Sequence, residues 1–138
     1  LGHRERGPAL VRLAAQAVAL EASVDFDSAG VLSPGITHAP GAAGITFVNA
    51  GTYKVTFSVS SAEPNQIALF NNGVVVPGTI YASGAGTQQN TGLGIATIGA
   101  GDVLTLRNHT SSAALNLATP IGGTQASVNA SIAIEKLD

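Results

Sequence analysis

Cysteine, methionine and tryptophan are all missing from the 138 residues. The absence of cysteine excludes disulfides, thiolate metal sites and a cysteine nucleophile. A chain of this length forms one domain of ordinary size and buries roughly two-thirds of its unfolded surface, so a single core holds it without covalent staples. Charge is scarce as well, at 10% Asp, Glu, Lys and Arg, where about 25% is usual. Half of it lies near the N-terminus, in Arg4, Glu5, Arg6, Arg12, Glu21, Asp25 and Asp27; from Ser28 onward there remain Lys54, Glu63, Asp102, Arg107, Glu135, Lys136 and Asp138. The abundance of Gly, Thr, Ser, Asn and Ala is unlike the composition of charged disordered segments. Two readings fit so neutral a surface: a polar face rich in Thr, Ser and Asn, or a face covered by other subunits, where charge is costly to desolvate.

The formal net charge of −2 supplies no basic footprint for nucleic acid. Pro64 to Gly101 carries no charge, but its Gly, Asn, Gln and Pro preclude a continuous apolar helix, so no membrane span is expected. Neither an initiator Met nor a signal peptide is present, and the chain reads as a mature or excised segment.

Period-two alternation is the pattern that is present. In Thr52–Ser60, Tyr53, Val55, Phe57 and Val59 share one face and Thr52, Lys54, Thr56, Ser58 and Ser60 the other, the mark of a half-buried strand. Val128, Ala130, Ile132 and Ile134 alternate in the same way with Asn129, Ser131, Ala133 and Glu135. Leu10, Leu13, Ala14 and Ala17 would suit one face of a helix. Val18, Leu20, Ala22, Val24 and Phe26 alternate strictly, however, which predicts a strand from about Ala15 to Phe26 after a loose tail. Ile67–Phe70, Asn71-Asn72-Gly73 and Val74-Val75-Val76 read as a hairpin, since Asn-Gly tolerates the positive φ of a tight turn. Further strands are expected at Gly44–Val48, Ile80–Tyr81, Leu93–Ile98, Val103–Asn108 and Ala113–Leu117. Loops carry Ser33-Pro34-Gly35, Pro40-Gly41, Glu63-Pro64-Asn65, Pro77-Gly78, Gly84-Ala85-Gly86, Gly99-Ala100-Gly101 and Pro120–Gly123. About eight to ten short strands with regular turns make an all-β antiparallel two-sheet sandwich or barrel. The run Val74-Val75-Val76 means either that both faces of that strand are covered or that one Val of a hairpin flank stays exposed.

Catalytic templates find no match. Gly-x-Ser-x-Gly does not occur, and His3, His38 and His109 are dispersed. Asp25 and Asp27 fall on one side of the first predicted strand, where solvent exposure is expected instead of a catalytic pair. Gly92-Leu93-Gly94-Ile95-Ala96-Thr97 is a partial dinucleotide fingerprint outside any βαβ unit, and reads as a strand with glycines at bends. No Asp-x-Asp calcium loop is present. Asn108-His109-Thr110 and Asn129-Ala130-Ser131 match the N-glycosylation sequon, with accidental matches the better reading. No catalytic, cofactor-binding or metal residue is assigned. His38 and His109 are noted only because a three-fold axis would triplicate a histidine beside it.

Gly51–Phe57, Asn72–Thr79, Gly101–Leu106 and Ala130–Lys136, together with Ala15–Ala22, resemble as an ordered set the C-terminal domain of the Bacillus collagen-like exosporium proteins, the BclA type. The resemblance runs from about Ala15 to the end. It implies a jelly roll like that of tumour necrosis factor and the complement globular head, forming a tight homotrimer that caps a collagen-like stalk on the spore surface. On this reading residues 1–13 are a loose tail, without the Gly-X-Y triplets of a stalk, and residues 14–138 are the trimerisation domain. The function it implies is structural and non-enzymatic, without cofactor. Partners would be further copies of the chain, other spore-coat or exosporium proteins, or host surface molecules. The alternative is a ligand- or receptor-binding module of the complement-head kind that uses loops at one end of the trimer. With Phe26, Phe47, Phe57, Phe70, Tyr53 and Tyr81 as the aromatics, several expected in the core, a sugar-stacking platform is poorly provided for.

Overall fold

The computed structural model describes residues 6–29 and 34–138. In chain order its strands are β1 (Arg6–Arg12), β2 (Gln16–Val18), β3 (Ser28–Ala29), β4 (Ile36–Thr37), β5 (Ile45–Phe47), β6 (Gly51–Ser60) and β7 (Asn65–Asn71). They continue with β8 (Val74–Val75), β9 (Tyr81–Ser83), β10 (Gln89–Ile98), β11 (Val103–Asn108), β12 (Leu115–Leu117) and β13 (Ala130–Lys136). Among the described residues there is no helix.

Two antiparallel sheets form the sandwich. One has the order β10-β6-β13-β1-β3; the other has β4-β5-β11-β7-β8, with β9 also paired to β7. A short β12-β2 ladder stands apart. Successive strands lie in opposite sheets of the sandwich at β3–β4, β5–β6, β6–β7, β9–β10 and β10–β11. Terminal strands β1 and β13 lie side by side within one sheet. This is the antiparallel sandwich that the alternation and turns predict, in the jelly-roll form that the family resemblance implies.

Local chemistry accounts for the longest strands. Tyr53, Val55, Phe57 and Val59 of β6 are buried, whereas Lys54 between them is exposed. Strand β10 matches β6 residue for residue, from Gln89 opposite Ser60 to Ile98 opposite Gly51. The β7–β8 hairpin turns on Asn72 (φ 50°) and Gly73 (φ 81°), the pair of positive dihedrals that a two-residue turn with the sheet's own twist demands. Between the sheets lie Leu10, Phe26, Phe47, Phe57, Ile67, Leu69, Leu104 and Leu106, with Phe47 edge-on to Tyr53 at 4.8 Å.

Three expectations are corrected. Residues 6–12 are not a loose tail: they form β1, paired with β13 from Ala9↔Ala133 to Arg12↔Ala130, and they place Leu10 in the core. Leu1–Glu5, and with them His3, lie outside the described residues, as do residues 30–33 of the first expected loop. The continuous strand over Ala15–Phe26 is instead β2 followed by a turn at Leu20–Glu21 and an irregular run beside β11. There the amides of Glu21 and Val24 donate to the carbonyls of Asn108 and Leu106. Glu21 takes φ 61°, and Leu20 points outward. Gly92 and Gly94 mark no bend, since both sit in regular register with β6. They face inward, where a Cβ on Gly92 would stand 2.3 Å from the Tyr81 ring and one on Gly94 would stand 2.6 Å from Thr79. Glycine at these positions lets Thr79 and Tyr81 pass close beneath β10.

Candidate functional site

The outward face of the five-stranded sheet is nearly free of charge. Register places Thr91, Ser58, Ser131, Val11 and Ser28 in one row and Leu93, Thr56, Ala133 and Ala9 in the next. Ile95, Lys54 and Glu135 form a third row, the one place on these rows where charge appears. Strand β10 forms the outer edge of this surface.

On β10, Leu93 and Ile95 are 45% and 60% exposed, and Val74 on β8 is 68% exposed. Val74 and Ile95 line a groove of about 430 Å³ together with Asn71, Val75, Val76 and Pro77. Within the chain the valine run is a hairpin flank: Val74 is open, Val75 half-buried and Val76 buried. A ten-residue edge strand with exposed aliphatics and no charge is a surface that folded proteins normally cover. The sequence signals are the uncharged stretch Pro64–Gly101 and the alternation of Gly92 and Gly94 with Leu93 and Ile95, which puts the two aliphatic side chains on the outward face.

A second depression, about 220 Å³, lies where Pro64, Gln66, Ser83, Thr110 and Ser111 meet. The hydroxyls of Ser83, Thr110 and Ser111 in it already have partners. Ser111 Oγ accepts from the Gln66 amide and donates to the Gln66 carbonyl, Ser83 Oγ donates to the Ala85 carbonyl, and Thr110 Oγ1 is hydrogen-bonded to Gln66 Oε1. No aromatic side chain lines it.

The titratable groups serve the fold separately. His109 Nδ1 lies 2.7 Å from Glu21 Oε1, while Glu21 Oε2 accepts from the Thr110 amide. The His109 bond and then the Thr110 bond hold the Glu21 carboxyl below its ordinary range. His109 also meets the edge of Phe70 at 5.0 Å, and the Arg107 guanidinium stacks on that ring at 4.2 Å. His38 Nε2 is hydrogen-bonded to the Ala42 carbonyl, and its ring meets Phe26. The two histidines are therefore held by different partners. Asp25 and Asp27 are also divided. Asp25 accepts from Gln16 Nε2, whereas Asp27 accepts from the amides of Leu13 and Ala14 and from Ser28 Oγ. Desolvation raises the Asp27 carboxyl, but those hydrogen bonds outweigh it and the net direction is downward. Among the described residues no group of three or more His, Asp or Glu is placed to hold a metal ion, and no helix is long and apolar enough to cross a membrane.

Both sequons are structural. Asn108 is fully buried, and its Nδ2 donates to the carbonyls of Val18, Ala19 and Ala113; Asn129 is buried and its Nδ2 donates to the Ala14 carbonyl. Phe26, Phe47, Tyr53, Phe57 and Phe70 are buried, and Tyr81 packs edge-on to Phe57 at 5.6 Å. Five of the six aromatic rings are thus closed to a sugar, and the sixth, Tyr81, is only partly exposed.

The architecture is the jelly roll of the complement globular head and of tumour necrosis factor. The globular domain of zebrafish complement 1qA superposes with TM-score 0.68 at 11% identity, covering 96% of each chain. The PRD1 vertex protein P5 gives 0.61 at 17% identity, covering 99% of this chain and 100% of that one. Eiger TNF from S. frugiperda gives 0.60 at 15% identity, covering 96% and 93%. At these identities the likeness is one of fold. In sequence, residues 13–138 match the BclA C-terminal domain, and the chain belongs to that family. No curated protein matches it.

Proposed function

We propose that this chain is a structural, non-catalytic head domain that works as a homotrimer on a bacterial surface, as the end of an exosporium filament. The observation that carries the reading is the exposed aliphatic pair Leu93 and Ile95 on uncharged β10, beside Val74 and the groove it lines. Burying such a surface stabilises an assembly by roughly 25 cal/mol per Å² before ordering costs are subtracted. The rows that hold Thr91 and Leu93 continue in Ser, Thr, Ala and Val side chains with no charge to strand when another subunit approaches, and Lys54 and Glu135 enter only in the row of Ile95. Membership of the BclA C-terminal family supports the surface location and the filament role.

The test is the double variant Leu93→Lys, Ile95→Lys. Both side chains point outward, so the far-ultraviolet spectrum of the fold stays unchanged while the assembly dissociates in gel filtration. An unchanged elution volume would contradict the reading. Binding by end loops is less well supported, because the polar depression there has the Ser83, Thr110 and Ser111 hydroxyls engaged within the chain and no aromatic wall.

A further inference from the structure

Asn72 is the one asparagine in the sequence followed by glycine. Without a Cβ on the following residue, the backbone nitrogen of Gly73 can approach the Asn72 side-chain amide with little steric hindrance. In that reaction the Gly73 nitrogen bonds to Asn72 Cγ, the Cγ–Nδ2 bond breaks, and ammonia leaves with the Gly73 amide proton. Water then opens the resulting succinimide to aspartate or isoaspartate.

The fold restrains both ends of this amide. Asn72 Nδ2 donates to Asp102 Oδ1 at 2.9 Å, and Asn72 Oδ1 accepts from the Val103 amide at 2.9 Å. Asp102 is itself fixed: its Oδ2 accepts from Asn71 Nδ2 at 2.9 Å and from the Gly99 amide at 2.8 Å. To reach the Gly73 nitrogen, the Asn72 side chain must give up both bonds, one of them to a carboxylate.

We propose that Asn72 is a latent deamidation site and that Asp102 is the clamp that keeps its side chain from cyclising onto Gly73. Loss of the clamp has a defined consequence. A carboxylate formed at position 72 faces Asp102 and repels it, so the bond that restrained the site cannot reform. An isoaspartate also lengthens the backbone at the turn between β7 and β8, displacing Val74 and Val75 at the mouth of the apolar groove. The clamp operates within one chain and does not depend on assembly.

The experiment follows Asn72 by peptide mapping and mass spectrometry during incubation in warm neutral buffer. Folded wild type, urea-unfolded wild type and Asp102→Asn are compared. Folded wild type converts more slowly than the unfolded chain by about tenfold or more, the scale set by losing hydrogen bonds to a charged group. Asp102→Asn moves towards the unfolded rate while circular dichroism remains native, and Asn71 and Asn116 stay unchanged. Conversion of Asp102→Asn at the wild-type rate overturns the proposal. If that variant does not fold, nuclear magnetic resonance of the wild type decides. Slowly exchanging, well-separated Nδ2 protons of Asn72 support the clamp; fast-exchanging, averaged ones overturn it.

Discussion

Asn90 Nδ2 donates to Asn65 Oδ1 at 2.8 Å, joining the edge of one sheet to the other through two buried amides. The same Asn90 Nδ2 reaches the Tyr81 carbonyl at 2.9 Å, and Asn65 Nδ2 donates to Ser61 Oγ and to the Glu63 carbonyl. Every donor in this latch has an acceptor, so it acts as a fixed polar strut beneath β10. Asn90→Ala leaves Asn65 Oδ1 and the Tyr81 carbonyl without this donor and is expected to cost about 2 kcal/mol. The urea midpoint falls while the slope of the transition holds.

The close passage of Thr79 and Tyr81 under β10 makes a sharper steric prediction. Gly92→Ala sets a Cβ 2.3 Å from Tyr81 Cδ1 and 2.7 Å from Phe57 Cζ. Two packed rings must move, at a cost of about 3 kcal/mol. Gly84→Ala meets nothing within 4 Å and serves as the control, with a thermal midpoint close to wild type.

Acid sensitivity follows from Asp27. Its carboxyl titrates below its ordinary range in the folded chain, so its contribution is complete above the unfolded-state pKa and is lost as the pH falls through the folded one. Stability measured by urea denaturation should therefore decline on acidification below the ordinary carboxylate range. Asp27→Asn flattens that decline. Glu21, Asp102 and Asp138, whose carboxyls are also lowered by hydrogen bonds, maintain part of the slope in the variant.

The strands whose two faces differ were legible in the sequence. Tyr53, Val55, Phe57 and Val59 sit against the core as their alternation required, and Asn72-Gly73 turns where its chemistry places a turn. The N-terminal region was not legible, because distant parts of the chain shape it. Val18, Val24 and Phe26 are all buried as their common parity suggested, yet the chain turns between them. That turn places Glu21 at positive φ, and its side chain is held by His109 and Thr110, some 88 residues away. Strand β1 likewise exists by pairing with β13 at the other end of the chain, a tertiary effect that overrides local preference. The candidate surface was half visible: the uncharged run was plain, but only the fold shows that Gly92 and Gly94 turn inward and leave Leu93 and Ile95 outside.

Assembly links stability to concentration. Subunits that bind one another only when folded raise the thermal midpoint as protein concentration rises. The Leu93→Lys, Ile95→Lys variant loses that dependence and becomes more readily cut by protease.

The direct measurement of the central proposal is the absolute mass of the native particle by light scattering at micromolar concentration. A homotrimer weighs three times the 13.7 kDa chain; a mass equal to one chain rules the trimer out.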